Sequence, residues 1–147
     1  MNFPFLYQNQ HHAQAVALFC MDFRFKDATL EFLKHEMQLT DLDIIVLAGA
    51  AKNLAAPQDS FDFKVTLKQF ELSSKLHQIK KMVLIDHQDC GAYGGSAVFE
   101  TSKAEREVHV INLRKAGEVL RQKFPDKEII LFYAQIIEKE IKFERIK

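Results

Sequence analysis

The stretch AVALFCMDFR, residues 15–24, passes from a continuous apolar run into thiol and charged side chains. An uninterrupted apolar run of strand length is typical of a β-strand covered on both faces, as the strands of a parallel sheet are. Residues 27–38 follow, and their apolar side chains recur at helical spacing, at Leu30, Leu33 and Met37. This order predicts a buried strand followed by a helix, the first half of a βαβ unit.

Two further apolar runs predict two more buried strands. DIIVLAGA, residues 43–50, reaches a glycine at its end, and KKMVLIDH, residues 80–87, ends at a histidine. Between them, residues 60–78 carry enough apolar side chains for the core face of a helix, among them Phe70 and Leu76.

The last part of the chain predicts one long helix and two strands. Small or apolar side chains step by three and four from Val110 to Phe124, and Pro125 ends this pattern. EIILFYAQII, residues 128–137, is a fourth apolar run. KEIKFERI, residues 139–146, alternates polar and apolar residues, which is typical of a half-exposed edge strand.

Strands that alternate with helices predict an α/β fold. We expect a mostly parallel central β-sheet flanked by helices on both faces, with a C-terminal edge strand. Because no linker or internal repeat interrupts the sequence, residues 1–147 are expected to form a single domain, with residues 1–14 as a short N-terminal arm.

Composition excludes several classes of function. Lys and Arg total 20, as do Asp and Glu, so no excess of either sign indicates a nucleic-acid surface. No apolar run approaches the roughly 18 to 20 residues that a membrane span requires, and the N-terminal segment lacks the pattern of an export signal. We therefore expect a soluble, cytoplasmic protein that acts on a small molecule, without a nucleic-acid or membrane partner.

Both cysteines of the chain lie near a predicted strand end, one of them beside a histidine. Cys20 ends the first apolar run, His87 ends the third, and Cys90 follows in the next turn, within a segment whose residues 91–95 include three glycines. Sites of parallel sheets lie at the carboxyl ends of strands, so these side chains are expected at one edge. Either cysteine alone is more often an inert buried thiol. Together they predict a zinc site, because three thiolate and imidazole ligands leave one tetrahedral position for water.

A carboxylate and a guanidinium accompany the first cysteine. If residues 20–24 are extended, alternate residues share a face, and Cys20, Asp22 and Arg24 point the same way. Arg24 can then hold Asp22 bidentately and keep it ionised and oriented. Asp22 either accepts a hydrogen bond from zinc-bound water or becomes a fourth ligand that closes the site. An ordinary salt bridge at a strand end is the simpler alternative.

The two motifs together resemble those of the β-class carbonic anhydrases. Cys-x-Asp-x-Arg follows the first strand, and His-x-x-Cys-Gly follows a later one. The LAGA of residues 47–50 also looks like the family's Ala-Gly-Asn turn. The residues of this chain that match the two motifs are Cys20, Asp22, Arg24, His87, Cys90 and Gly91.

The chain departs from the family pattern at three positions. Phe23 stands where a small polar residue is usual, Ala50 replaces the asparagine of the turn, and Asp86 replaces a glycine before the histidine. The resemblance therefore identifies a short, divergent member.

The resemblance implies an enzyme, a carbonate dehydratase with one zinc ion per chain held by Cys20, His87 and Cys90. The implied reaction is the reversible hydration of carbon dioxide to bicarbonate and a proton via zinc-bound hydroxide. In this reaction Asp22 would orient the hydroxide and Arg24 would hold Asp22. The resemblance also implies a homodimer or a higher homo-oligomer.

Other residues of the region have simpler interpretations. We expect Asp86 to be a solvated strand-end residue and Asp89 to be the N-cap of a helix. Phe23 and Phe25 are candidates for either the core or a dimer interface. Five histidines are proton-transfer candidates by residue type alone, and each is expected on the surface or on a helix face: His11, His12, His35, His77 and His109.

Two alternatives remain open at this point. The same zinc site would serve a hydrolase of carbonyl sulfide or carbon disulfide, whose shape and apolarity match those of carbon dioxide. A non-catalytic, zinc-stabilised binding protein would use Asp22 as a permanent fourth ligand. A metal-free redox protein is disfavoured because the thiols lack the Cys-x-x-Cys arrangement.

Overall fold

A computed structural model describes residues 4–147, in which five strands form one sheet with helices on both faces. Within these residues, none of the helices has the length and apolarity needed to cross a membrane. The strands are β1 (Ala15–Phe19), β2 (Leu42–Val46), β3 (Lys81–His87), β4 (Glu128–Ile137) and β5 (Glu140–Ile146). The α-helices are α1 (Phe23–Glu31), α2 (Ala51–Ala55), α3 (Phe61–His77) and α4 (Ser102–Lys123).

The strand order is β2-β1-β3-β4-β5. β1 pairs in parallel with β2 and β3, β3 pairs in parallel with β4, and β5 is antiparallel to β4 at the edge. The predicted α/β fold with a C-terminal edge strand is therefore confirmed. After β1 the chain forms β2 on one side of it and then crosses to form β3 on its other side. The carboxyl ends of β1 and β3 therefore flank a topological switch point, where sheets of this kind place their sites.

Alternation along the buried strands divides the core between the two faces of the sheet. Val16 and Leu18 of β1 belong to the cluster that includes Leu54, Phe70 and Leu113 of the helices α2, α3 and α4. The intervening strand residues belong to a second cluster with Phe25 of α1; they include Ala15, Ala17, Phe19, Val83 and Ile85. Both faces of β1 and β3 are covered, as their continuous apolar sequences predict.

The second strand differs from its prediction. β2 spans Leu42–Val46, ends before Gly49 and forms an edge of the sheet. Ile44 and Val46 are 49% and 43% exposed. The apolar run predicts a strand correctly, but its composition does not distinguish a central strand from an apolar edge.

The segment after β1 also differs. Helix α1 begins at Phe23 rather than at Asp27, and Asp22 is its N-cap, whose side chain accepts a hydrogen bond from the Arg24 backbone N–H at 3.0 Å. The prediction that residues 20–24 are extended was therefore wrong. Helix α2, whose residues Ala51–Ala55 form little more than one turn, was not predicted.

Candidate metal centre

The structure brings Cys20, His87 and Cys90 together at the carboxyl ends of strands β1 and β3. Cys20 directly follows β1, His87 is the last residue of β3, and Cys90 lies in the turn beyond. Phe19 is opposite Ile85 in the parallel register, so the chain segments after both strands emerge side by side. All three side chains are buried.

Their ligand atoms are close enough to surround one ion. The two Sγ atoms are 3.7 Å apart, and the three ligand atoms all lie within 4.8 Å of one another. Two sulfurs bound to zinc at a length of about 2.3 Å and a tetrahedral angle would be about 3.8 Å apart. Both thiols are free rather than joined in a disulfide. The donor set therefore fits zinc in chemistry and in spacing.

The imidazole of His87 is oriented as a metal ligand would be. Its Nδ1 lies 2.7 Å from the Gln88 carbonyl oxygen, to which it donates a hydrogen bond. This bond leaves Nε2 as the acceptor nitrogen, and Nε2 is buried without a hydrogen-bond partner among residues 4–147. Buried polar atoms are rarely left unpaired, and metal-binding histidines commonly donate their other N–H to a carbonyl. A cation at Nε2 accounts for both observations.

The thiols already favour negative charge at this position. A hydrogen bond from the Cys90 thiol lowers the pKa of Cys20 to about 4, and the same bond raises the pKa of Cys90. One thiolate and one thiol thus share a proton. A cation that binds here would displace this proton, because metals bind the thiolate form.

Asp22 and Arg24 form a bidentate pair beside the three residues. Arg24 Nη2 donates to Asp22 Oδ2 at 2.6 Å, and Arg24 Nε donates to Oδ1 at 3.0 Å. The Arg24 hydrogen bond is the main reason that the pKa of Asp22 falls to about 2. Asp22 Oδ2 is also 4.0 Å from His87 Nε2. The carboxylate is therefore ionised and lies next to the unpaired nitrogen, although residues 23 and 24 are helical rather than extended as predicted.

A cavity of about 430 Å³ opens next to these residues. Its walls are more apolar than polar, and they include Cys20, Met21, Asp22, Phe23, Ala48 and Ala92. Phe23 is 81% exposed, whereas Phe25 is in the core and lies against His87, with ring centroids 4.2 Å apart. Of the two alternatives left open for Phe25, the core is therefore confirmed.

Two glycines in the turn after Cys90 adopt positive φ angles. Gly94 and Gly95 have φ of +94° and +74°, in the left-handed region that other residues rarely adopt. Gly95 N–H donates to the Cys90 carbonyl at 3.0 Å, which folds the turn back on the cysteine.

Asp86 was assigned wrongly from the sequence, and His109 lies on a buried helix face. Asp86 is 2% exposed, and its carboxylate accepts hydrogen bonds from the Ala51 backbone N–H at 2.9 Å and from the Tyr93 hydroxyl at 2.8 Å. His109 lies on helix α4, which agrees with the helix-face alternative, but its face is fully buried rather than on the surface, with Nδ1 3.0 Å from Asp86 Oδ2. An aspartate inside an apolar strand was the one sequence signal for this buried network.

Asp89 is not a helix N-cap. Its side chain accepts from Arg24 Nη1 at 2.7 Å and from the Ser96 backbone N–H at 2.8 Å. Glu105, which the sequence did not single out, accepts from the Asp89 backbone N–H at 2.6 Å. No sequence pattern connects these positions, because the contacts join segments far apart in the chain.

The other histidines lie elsewhere. His77 pairs with Asp43 at 2.8 Å, near the amino end of β2. It therefore lies at the side of the sheet opposite the carboxyl ends of the strands. The remaining three are exposed, as expected: His11, His12 and His35.

Comparison with protein families gives a match over nearly the whole chain. A family model described as "Putative carbonic anhydrase" matches residues 10–147. An uncharacterised protein of Rickettsia conorii is 30% identical over 125 residues, which cover 83% of this chain and 67% of the relative.

Solved structures share the fold. A carbonic anhydrase from Streptococcus mutans superposes with a TM-score of 0.64 at 14% identity, covering 99% of this chain and 88% of that one. The β-carbonic anhydrase CcaA superposes with a TM-score of 0.63 at 14% identity, covering 94% of this chain and 79% of that one.

Proposed function

Because the chain belongs to the carbonic anhydrase family, as a divergent member of the β class, we propose that it catalyses the reversible hydration of carbon dioxide to bicarbonate and a proton. One zinc ion per chain would be held by Cys20, His87 and Cys90. The observation that carries this proposal is the buried, unpaired Nε2 of His87, which lies beside two thiols and 4.0 Å from the ionised Asp22.

The contacts support a role for each residue. Zinc, when bound, is a Lewis acid that lowers the pKa of a coordinated water towards about 7 and so supplies hydroxide at neutral pH. Gln88 holds the His87 ring through the Nδ1 hydrogen bond of 2.7 Å. Asp22 would accept a hydrogen bond from the attacking oxygen and so orient its lone pair. Arg24 keeps Asp22 ionised and in place.

The apolar cavity supports a small, uncharged substrate. Carbon dioxide needs few hydrogen bonds, and the walls beside Asp22, including Met21 and Ala48, offer mainly apolar contact. Carbonyl sulfide and carbon disulfide have the same demands, so a hydrolase of these molecules remains a second enzymatic candidate.

The position of Asp22 also favours one non-catalytic candidate. Its Oδ2 is close enough to His87 Nε2 that a modest movement would bring it onto a cation held by the three ligands. A site closed permanently in this way would stabilise the fold without chemistry.

Stopped-flow hydration of carbon dioxide, with the zinc content measured in the same samples, tests the proposal. We expect the rate to rise in proportion to zinc content. Asp22→Asn should retain zinc and lower kcat by about 100-fold, because an amide orients the nucleophile less well. Asp27→Asn is the matched control, since Asp27 has an 83% exposed side chain on the same helix. Full zinc occupancy without hydration at any pH would contradict the proposal, and assays with the sulfur analogues would then separate the two remaining candidates.

A further inference from the structure

Arg24 donates hydrogen bonds to two carboxylates, that of Asp22 and that of Asp89. Arg24 Nε and Nη2 face Asp22, while Nη1 donates to Asp89 Oδ2 at 2.7 Å and Nη2 donates to the Asp89 carbonyl at 2.9 Å. The planar guanidinium is therefore fixed along two edges rather than one. A guanidinium bonded to both Asp22 and Asp89 cannot rotate together with Asp22, as a guanidinium bonded to Asp22 alone could.

Asp89 is itself held firmly. Its φ is +57°, a left-handed conformation that costs a residue other than glycine about 1 kcal/mol and persists only where the surroundings impose it. Its Oδ1 accepts from the Ser96 backbone N–H at 2.8 Å, and its own N–H donates to Glu105 at 2.6 Å. Gly95 packs against the same carboxylate, since a Cβ there would lie 3.2 Å from Asp89 Oδ1.

Glu105 connects this turn to the long helix. It is fully buried in the first turn of α4, where the helix dipole favours a negative charge. Its second oxygen accepts from the Ser96 hydroxyl at 2.7 Å. One buried carboxylate thus fixes both Asp89 and Ser96, and α4 provides the rigid support for Arg24.

Asp22 has two possible partners, Arg24 and a cation at His87 Nε2. Asp22 Oδ1 also accepts from the Arg24 backbone N–H, but Oδ2, the oxygen 4.0 Å from His87 Nε2, is bonded to the guanidinium and is kept from the cation only while the guanidinium stays in place. We propose that Asp89 is a positioning residue that anchors Arg24, so that Asp22 stays on the arginine and the fourth metal position stays open. This inference rests on the proposed function, because an open position matters only for chemistry at the metal.

The effect of Asp89 on stability should be small. Its side chain is 38% exposed and that of Arg24 is 43% exposed. Ion pairs at this exposure contribute at most about 1 kcal/mol. Variants at Asp89 are therefore expected to fold, and a change in metal chemistry can be separated from a loss of structure.

The test uses cobalt-substituted protein and azide as the probe. Azide coordinates an open metal position and changes the visible absorption of cobalt, so its dissociation constant reports on that position whether or not carbon dioxide is hydrated. We expect Asp89→Asn to bind one metal per chain but to bind azide about 10-fold more weakly than the wild type. In the hydration assay kcat should fall while KM changes little. Asp27→Asn should behave as the wild type in both assays.

A double-mutant cycle decides the mechanism. If Asp89 acts by keeping Asp22 off the metal, the Asp89→Asn change should alter azide affinity less than about twofold once Asp22→Asn is present. Wild-type azide affinity in Asp89→Asn would overturn the inference, as would a loss that persists in the Asp22→Asn background. Should Asp89→Asn fail to fold by circular dichroism, Asp89→Ser takes its place in the cycle. If the wild type binds azide and the cycle behaves as expected but no hydration is seen, the proposed function fails while the positioning role stands.

Discussion

At the scale of single residues, the metal centre is a balance between buried polarity and charge. His87 and the two cysteines are buried, and the hydrogen bond from Cys90 lowers the pKa of Cys20, so a thiolate charge is favoured where it needs a partner. Burial of a charge is costly unless it is paired. A divalent cation among these side chains would satisfy all three at once, which supports the proposal that they form a ligand set.

Replacement of one sulfur tests this interpretation. In Cys90→Ser a weakly binding hydroxyl replaces the thiolate, and we expect zinc affinity to fall by more than about 100-fold, beyond the usual effect of residues that only support a ligand. The melting temperature should also fall, because the binding free energy of zinc contributes to folding. His35→Ala, at an exposed histidine, is the control and should retain zinc. Full zinc occupancy in Cys90→Ser would remove Cys90 from the ligand set.

At the scale of secondary-structure elements, Asp86 connects three parts of the fold. It lies in β3, and its carboxylate contacts the first backbone N–H of α2, Tyr93 in the turn after Cys90, and His109 of α4. Two helices on this face, α2 and α4, are thus hydrogen-bonded to the strand that carries His87. The position of the candidate metal centre depends on these contacts as well as on Cys20, His87 and Cys90 themselves.

Asp86→Asn should loosen this connection. An amide can accept only part of the hydrogen bonds that the carboxylate accepts, and a buried donor left without its partner costs about 1–3 kcal/mol. We expect the free energy of unfolding in urea to fall by that amount at equal zinc content. Asp59→Asn, at an exposed residue, should change it by less than about 0.5 kcal/mol. Equal stability of the two variants would show that the network does not fasten the helices.

The pair of Arg106 and Glu144 joins α4 to β5 and gives a pH-dependent contribution. Arg106 Nε donates to Glu144 at 2.8 Å, and this hydrogen bond lowers the pKa of Glu144. Because the folded pKa lies below that of the unfolded chain, the stabilisation is complete above the unfolded value of about 4.3 and is lost as the pH falls through the folded value.

Glu144→Gln should therefore be less stable than the wild type at pH 7, by at most about 1 kcal/mol because both side chains are partly exposed. The difference should begin to shrink as the pH falls below the unfolded value of about 4.3, and it should vanish only below the lowered folded pKa, where the wild-type carboxyl is protonated in both states. Urea unfolding at pH 7 and at an acidic pH below the folded pKa of Glu144 measures the difference in the free energy of unfolding. Glu140→Gln, at a more exposed acid of the same strand, should show little dependence. A difference that grows on acidification would have the wrong sign for this pair.

At the scale of the whole molecule, the sequence predicts what local patterns encode. β3 and β4 follow directly from apolar runs, and Cys20 and His87 were expected at one sheet edge because each ends such a run. The sequence does not reveal contacts between distant segments. Asp89 meets Arg24 across 65 positions, and Glu105 supports it from another helix. The roles of the ligands and of Asp22 stay predictions until metal and activity are measured.

The apolar outer edge of β2 bears on assembly. Among residues 4–147, β2 pairs only with β1, so its other side is an unpaired edge. Ile44 and Val46 are partly exposed on it, and Leu72 and Leu76 of α3 extend the apolar surface. Edge strands of this composition tend to pair with another chain unless they are protected. We therefore propose that a second copy of this chain covers β2 in a homodimer.

A charge on this edge should prevent assembly. We expect sedimentation equilibrium to show a dimer for the wild type and a monomer for Ile44→Lys, because a buried, unpaired ammonium group opposes association. Ile111→Lys is the matched control: Ile111 is 63% exposed but lies on α4, away from β2, so this variant should remain a dimer. A wild type that is monomeric at every concentration would exclude the homodimer. A dimer that persists in Ile44→Lys would instead place the interface on another surface, because the β2 edge would not tolerate the lysine.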